Sequence, residues 1–404
     1  MIKKIQFDQL TPGMFVHDLN CDWMSHPFAR NQFMVRSDED LQKIANAGIH
    51  DLYIDTSKGL DVENAPTKAE VDAQLEAELE AIGSQRPEIV RISIAEELAK
   101  AKKIHSQAAQ IVQDVMKDVR LGHAINVENV APLVEDITGS VMRNNGALIS
   151  LLKIKNKDDY TFLHSVSVCT LMVTFCHALQ MDTDITREAG VGGLLHDLGK
   201  MKVPDSILNK PGKLTDEEFA IIRQHPMDGY NILVATPGVG NIPLDITRHH
   251  HERMDGSGYP DKLPGDQIST LSQMAAIVDV YDAITADRCY HKGMPPTEAL
   301  KKMWEWSKFH FNPQLMQLFM RTVGIYPVGT LVRLESGKIG VVTEQSEKNM
   351  LTPKVKVMFS TKSNTFITPH EVDLSKPLGM GGGDKIVSHE DPLKWQIVPE
   401  RYLA

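Results

Sequence analysis

Cysteine is scarce and scattered in this 404-residue chain. Cys21, Cys169, Cys176 and Cys289 form no CxxC pair and no spaced framework, which excludes a disulfide scaffold and a thiolate metal site and predicts a reducing compartment. Cys169 and Cys176, seven apart in an apolar segment, fall on one helical face as small core residues. Excess positive charge is lacking too: 43 basic against 53 acidic residues give a net charge of -10. That balance argues against duplex nucleic acid on a broad cationic surface and leaves room for a small anionic ligand at a local site. No apolar run approaches the roughly 20 residues that span a bilayer, and the opening Met1-Ile2-Lys3-Lys4-Ile5-Gln6-Phe7-Asp8 has no signal-peptide core. The expectation is a cytoplasmic protein without a membrane span. Internal repeats are absent, and the Gly-rich stretch 379–384 lacks both the lysine of a P-loop and a following helix, so it reads as a flexible connection.

The chain is too long for one compact core, and its pattern changes along its length. Residues 1–65 alternate short apolar stretches with turn signals around one helical pattern at 38–47, a small α+β module. Residues 66–124 open acidic and Ala-rich, as a linker or loosely held helix with few bulky side chains to anchor it. They continue into an amphipathic helix over 94–119, whose stripe of Leu98, Ile104, Ala108, Ile111, Val112, Val115 and Val119 packs in cis or pairs with a second copy or signalling partner. Residues 125–325 show helical periods at 130–144, 161–179, 185–196, 216–224 and 270–285. After Pro327 the period falls to two, which predicts a small β tail over 326–404. The fold class is mainly α, an all-helical core between an α+β module and a β tail.

What the chain does have is histidine and aspartate in concentration, all in the helical region: His164, His196-Asp197, His225, His250-His251 and Asp279. These seven groups exceed what one four- to six-coordinate ion uses. The economical reading is two metals sharing a carboxylate bridge, a device for hydrolysing phosphate esters. Singly, each has an ordinary explanation. His164 lies in a segment apolar enough for a hydrogen-bonded core histidine, and His225 fits a cap at the end of a helix that starts near Thr215. The run His249-His250-His251-Glu252 before a Gly-rich turn fits neither core nor ordinary loop. Asp279 sits in a helix otherwise built to be buried, and a buried carboxylate needs a cation or partners. On consecutive helical residues His196 and Asp197 diverge by about 100°, so the carboxylate of Asp197 can bridge to a second ion.

The ordered set resembles the bacterial HD-GYP proteins, a branch of the HD phosphohydrolases that hydrolyse cyclic dinucleotides, chiefly cyclic di-GMP. The resemblance spans residues 159–290. It covers His164-Ser165-Val166, His196-Asp197-Leu198-Gly199-Lys200, His225-Pro226 with Gly229, His250-His251-Glu252, Asp255-Gly256-Ser257-Gly258-Tyr259-Pro260 and Asp279-Val280-Tyr281-Asp282-Ala283. The N-terminal module and the β tail are similar to segments that accompany this domain in one HD-GYP subgroup.

The resemblance implies that His164, His196, Asp197 and Asp279 hold one metal and that Asp197, His225, His250 and His251 hold the other, with a bridging hydroxide attacking phosphorus in line with the departing 3′ oxygen. It further implies that Lys200 contacts a scissile-phosphate oxygen and Arg288 grips the second phosphate. Gly258-Tyr259-Pro260 would form the pocket wall, with Tyr259 also open to a regulatory partner. Two positions depart from the pattern. Tyr160 stands where some members have a glutamate for a third metal, so two metals are expected, and His291 stands where relatives often carry lysine or arginine. The implied metals are iron or manganese, although imidazole with carboxylate also suits nickel and cobalt. Three functions stay open: a cyclic di-GMP phosphodiesterase yielding linear pGpG, with the further step to GMP also left open, a 3′,3′-cyclic GMP-AMP phosphodiesterase, and a non-catalytic cyclic-dinucleotide receptor. His249 has no assigned role.

Overall fold

The structure is a computed structural model that describes residues 1–403 apart from 22–25, 27, 29–31, 84–91, 124, 126, 153–159, 211, 213, 287–292, 347–348 and 378–379. It opens with an antiparallel sheet of β1 (Ile2–Gln6), β2 (Phe15–Asp18), β3 (Phe33–Met34) and β4 (Asp51–Asp55), in the order β1-β4-β2-β3. Helix α1 (Asp38–Asn46) starts where Ser37 and Asp40 form a capping box. Strand β4 is buried along its whole length because both of its faces are covered. Leu52 and Ile54 join Ile5, Val16 and Ile44 in the module's own core, while Asp51 and Tyr53 point toward the helical domain.

Helix α2 (Lys68–Gly83) follows and is more firmly held than its composition suggests. Leu79 and Ile82 enter a domain core, the Trp304 indole donates to Glu78 at 2.7 Å, and Lys301 pairs with Glu76 at 3.0 Å. Helix α3 (Ile94–Arg120) is capped by Ser93 and Glu96. Its stripe packs in cis: Leu98, Ala101, Ile104, Ala108, Val112 and Val119 are buried in one cluster with α4 (Val130–Leu151). A bidentate pair from the Arg143 guanidinium to the buried Glu97, at 2.7 and 2.8 Å, adds a polar tie between α3 and α4.

The remaining helices are α5 (Tyr160–Ala178), α6 (Thr183–Leu195), α7 (Asp205–Leu208), α8 (Asp216–Ile222), α9 (His225–Val234), α10 (Asn241–His249), α11 (Thr270–Thr285), α12 (Pro296–Trp306) and α13 (Pro313–Val323). Helix α5 runs through the centre and is apolar on every side, since Val168, Leu171, Met172, Phe175 and Cys176 face one core and Val166, Cys169 and Val173 the other. The segment Thr161–Ala178 is long and apolar enough to cross a membrane by length and composition alone, closer to that threshold than the sequence pattern indicated, and 78% of it is buried inside the protein. Each such fully buried Val, Leu or Phe contributes about 1.5–3 kcal/mol.

The β tail comprises β5 (Leu331–Leu334), β6 (Lys338–Glu344), β7 (Lys354–Ser360), β8 (Thr365–Asp373) and β9 (Ile386–His389), an antiparallel sheet in the order β8-β7-β6-β5-β9. A short helix, α14 (Pro392–Trp395), follows it. One sheet face sends Leu331, Ile339, Val341 and Met358 into the core around α3 and α4; the other closes over Val332, Leu334, Val342 and Val355.

Candidate metal centre

Glycine lets the ligand-bearing elements converge. A Cβ at Gly190 would lie 2.6 Å from the Val134 side chain, and one at Gly192 would lie 2.7 Å from that of Ile246, so α6 packs closely on α4 and α10. Just past α6, a Cβ at Gly199 would lie 1.9 Å from the His225 carbonyl oxygen and 2.5 Å from the Gly229 nitrogen. Only a bare backbone at 199 allows α9 to bring His225 alongside Asp197. His225 therefore opens α9 rather than ending the helix before it, because Pro226 is accepted in the first turn of a helix, where its missing N–H has no helical partner to lose.

All seven candidate ligands meet in one cluster, and each is at most 3% exposed apart from His251, whose side chain is 9% exposed. Asp197 divides its two oxygens. Oδ2 lies 3.5 Å from His164 Nε2, 3.4 Å from His196 Nε2 and 2.6 Å from Lys200 Nζ, whereas Oδ1 lies 3.3 Å from His225 Nε2 and 3.9 Å from His250 Nε2. Asp279 Oδ1 faces His164 Nε2 at 3.0 Å and His196 Nε2 at 3.7 Å, and its Oδ2 faces His251 Nδ1 at 4.0 Å.

The opposite ring nitrogens are occupied. Nδ1–H donates to the Gly193 carbonyl from His196, to the Ile222 carbonyl from His225 and to the Thr247 carbonyl from His250, at 2.8, 2.8 and 2.9 Å. His164 Nδ1 binds Asp282 Oδ2 at 2.7 Å. A carbonyl only accepts, so Nδ1 must carry a proton, and the neutral rings of His225 and His250 then point bare Nε2 lone pairs at the centre. The Ile222 carbonyl is free for this bond because its helical partner would be Pro226, which has no N–H. His225 Nε2 and His250 Nε2 consequently face each other at 3.3 Å. Two lone pairs at that distance repel unless a cation lies between or beside them. His196 Nε2, Asp197 Oδ1 and His251 Nε2 are also buried with no hydrogen-bond partner, and buried polar atoms without partners are rare. Three-ligand groups close enough to share one ion are His164, His196 and Asp279; His225, His250 and His251; and His196, Asp197 and His250. The donor set fits divalent transition metals, whose ligands are neutral imidazole and carboxylate.

The electrostatics agree. Burial disfavours charge on Asp197 and Asp279, but neighbouring imidazoles, and Lys200 beside Asp197, outweigh it and hold both carboxyls well below their usual range. Burial and the neighbouring His196 and His225 push His250 down to about 3; burial and the Lys200 ammonium lower His225, and burial with His250 and His225 lowers His251. His196 goes the other way: burial opposes its charge, yet Asp197 and Asp279 push it up to about 10. Its proton sits where a metal cation would.

The pocket wall lies against this cluster. Tyr259 stacks on His251, ring centroids 4.7 Å apart, and the Arg223 guanidinium lies 4.6 Å from the Tyr259 ring centre. A Cβ at Gly258 would lie 2.5 Å from the Glu252 Cα, and Tyr259-Pro260 is a cis peptide. Glu252, which sequence reasoning gave no role, is buried beneath the turn and accepts the N–H groups of Asp261, Lys262 and Leu263 at 2.7, 3.0 and 3.0 Å. Asp282 was missed as well, although its spacing of three from Asp279 on a helix places both on one face. His249 points away from the candidate ligands and ties Asp245 at 2.7 Å to Asp261 at 3.1 Å, bracing the same turn. Arg288, His291 and the side chain of Tyr160 lie outside the described residues.

Residues 148–315 match the HD domain family, and residues 2–130 match a domain of unknown function, DUF3391. A cyclic di-GMP phosphodiesterase of Pseudomonas aeruginosa is 45% identical over 398 residues, which cover 98% of this chain and 94% of that protein. A cyclic di-GMP phosphodiesterase of Vibrio cholerae is 40% identical over 132 residues, 31% of this chain and 27% of that protein. A 3′3′-cGAMP-specific phosphodiesterase of the same organism is 39% identical over 127 residues, 31% of this chain and 24% of that protein. With a relative matching almost end to end and an HD domain around the histidine cluster, this chain belongs to the HD-GYP family, in the group that carries a DUF3391 module.

Proposed function

We propose that this chain is a metal-dependent phosphodiesterase that opens cyclic di-GMP to linear pGpG and carries hydrolysis on to GMP. The observation that carries the metal reading is the confrontation of His225 Nε2 and His250 Nε2 at 3.3 Å, above the orphaned Asp197 Oδ1. The near full-length relative named for cyclic di-GMP supports the substrate.

His164, His196, Asp197 and Asp279 would hold one ion, and Asp197, His225, His250 and His251 the other. Iron or manganese suits these donors. Bound there, the metals supply an activated water and neutralise the phosphate oxygens. The protein supplies the rest. Asp197 offers one oxygen to each group of histidines, and its ionisation is secured by Lys200 at 2.6 Å. The Lys200 ammonium is a compact charge that can turn from Asp197 to a non-bridging phosphate oxygen. Gly258-Tyr259-Pro260 borders the space over His251, and Tyr259 offers an aromatic face there. The resemblance to the HD-GYP family assigns Arg288 the second phosphate.

Relatives named as specific for 3′3′-cGAMP keep a second substrate in view, since phosphates and metals would be shared and base contacts alone would differ. The test is to incubate metal-analysed protein with cyclic di-GMP and with 3′,3′-cyclic GMP-AMP, under anaerobic Fe(II) and under Mn(II), and to resolve the products by chromatography. Faster conversion of cyclic di-GMP to pGpG and GMP is expected. Faster cleavage of the mixed dinucleotide would shift the substrate, and tight binding without turnover by the two-metal protein would replace the enzyme reading with that of a receptor.

A further inference from the structure

The N-terminal module is docked directly on the pocket wall. His50, in the turn before β4, places Nε2 2.7 Å from Asp255 Oδ2 and stacks its ring on Phe309, centroids 4.4 Å apart and 19° from parallel. Asp255 is the first residue of the turn Asp255-Gly256-Ser257-Gly258-Tyr259-Pro260. Its other oxygen accepts the Ser257 N–H at 2.9 Å, and its own N–H donates to the Phe309 carbonyl at 3.0 Å. Gly48 meets the same turn: a Cβ there would lie 2.6 Å from the Ser257 Cβ. From Ser257 the chain runs through Gly258 to Tyr259, which stacks on His251.

The module is fixed against α12 by polar contacts, those of Lys4, Tyr53 and Asn20 buried, so its grip on the turn is anchored. Lys4 is paired with Glu305 and with Asp51, the latter at 3.0 Å. The Tyr53 hydroxyl donates to Glu305 at 2.7 Å, Asn20 accepts from the Trp306 indole at 3.2 Å, and Lys302 reaches Asp18 at 2.9 Å.

We propose that the module supplies a positioning residue to the active site: His50 holds Asp255, and through it the Gly258-Tyr259-Pro260 wall, at the spacing the dinucleotide requires. This rests on the phosphodiesterase reading for its kinetic consequence, while the clamp itself is a property of the structure. His50 touches no metal ligand. Its loss therefore loosens substrate binding without touching the metals or the reacting atoms, and it gives the DUF3391 module a defined route to substrate affinity.

The test uses the full chain with His50→Ala, which removes both bond and stack, His50→Gln, which keeps a donor near Nε2, Asp255→Ala, and the double variant. KM for cyclic di-GMP is expected to rise about fivefold in His50→Ala, the worth of one partly exposed hydrogen bond to a carboxylate, with kcat and metal content unchanged. His50→Gln should recover most of the loss, and Asp255→Ala should add little in the His50→Ala background, as two partners in one contact do. Hydrogen exchange of the Ser257 and Tyr259 amides should quicken by a similar factor in His50→Ala, and this reading needs no turnover. Unaltered exchange, or a wild-type KM in His50→Ala, overturns the proposal. If the wild-type protein cleaves no cyclic dinucleotide, the phosphodiesterase reading falls while the exchange measurement still decides the clamp.

Discussion

Replacing Asp282 by alanine should cost metal before it costs fold. Asp282 is buried one helical turn from Asp279, and its Oδ2 holds His164 Nδ1 at 2.7 Å. That bond fixes the imidazole so that Nε2 meets Asp279 at 3.0 Å and Asp197 at 3.5 Å. Without it the ring can rotate about its Cβ–Cγ bond and loses the anionic partner that orients it. Carboxylates that orient a metal-bound histidine are worth about 10- to 100-fold in metal affinity, or about 1.4–2.7 kcal/mol. Asp282→Ala should therefore bind Mn(II) 10- to 100-fold more weakly at the group containing His164. Asp282→Asn, which keeps an acceptor oxygen but no charge, should stay within about tenfold of wild type. Calorimetric titration of metal-stripped protein gives the affinity, elemental analysis gives the stoichiometry, and the thermal midpoint without metal confirms an intact fold. A folded Asp282→Ala protein that takes up both ions with wild-type affinity would refute the orienting role, whatever its activity.

Asp197→Asn should lose both the shared carboxylate charge and hydrolysis; retained turnover with two bound ions would remove Asp197 from the bridge. Gly199→Ala inserts a methyl group 1.9 Å from the His225 carbonyl oxygen, a backbone clash that should cost about 3 kcal/mol or more in urea unfolding, and a midpoint equal to wild type would contradict the close approach of α9. Lys4→Met strands Glu305 and Asp51 without their cation and should destabilise by about 3–5 kcal/mol, with a loss under about 1 kcal/mol excluding the pair as an anchor. Metal uptake at His164, His196 and Asp279 must expel the proton that His196 keeps to about pH 10, so apparent affinity should rise about tenfold per pH unit between about 7 and 9, and a flat profile would refute it. The same proton stabilises the metal-free fold fully below its unfolded value of 6.5, and that contribution fades as pH climbs through about 10. The opposing cost of holding His225, His250 and His251 neutral begins only below 6.5.

Strong periodicity made some elements legible. Residues 270–285 carry an unbroken helical pattern and form α11 with those bounds; the stripe over 94–119 forms α3. The residues that cluster were legible as candidate ligands because a histidine pair before a Gly-rich turn, or an aspartate in an apolar helix, has few structural uses. What escaped was tertiary. Helix α2 has weak amphipathicity, and its hold comes from Trp304 and Lys301, more than 200 residues away. Likewise, nothing near His50 in the sequence points to Asp255, since the two meet only when the module docks. Glu252 escaped because its partners are backbone N–H groups, which carry no side-chain signature.

The bonds that fix the histidine tautomers are also helix caps. Gly193, Ile222 and Thr247 lie in the last turns of α6, α8 and α10, where carbonyls run out of helical partners, and His196, His225 and His250 close them. Each imidazole thus spends one nitrogen terminating a helix and presents the other to the centre. Fraying of any of these three helix ends, an event far cheaper than unfolding, would misaim a ligand at once. Metal retention would then track the local opening of helix termini rather than global stability, and substitutions that merely loosen those turns would surface as metal loss in a protein that still melts normally.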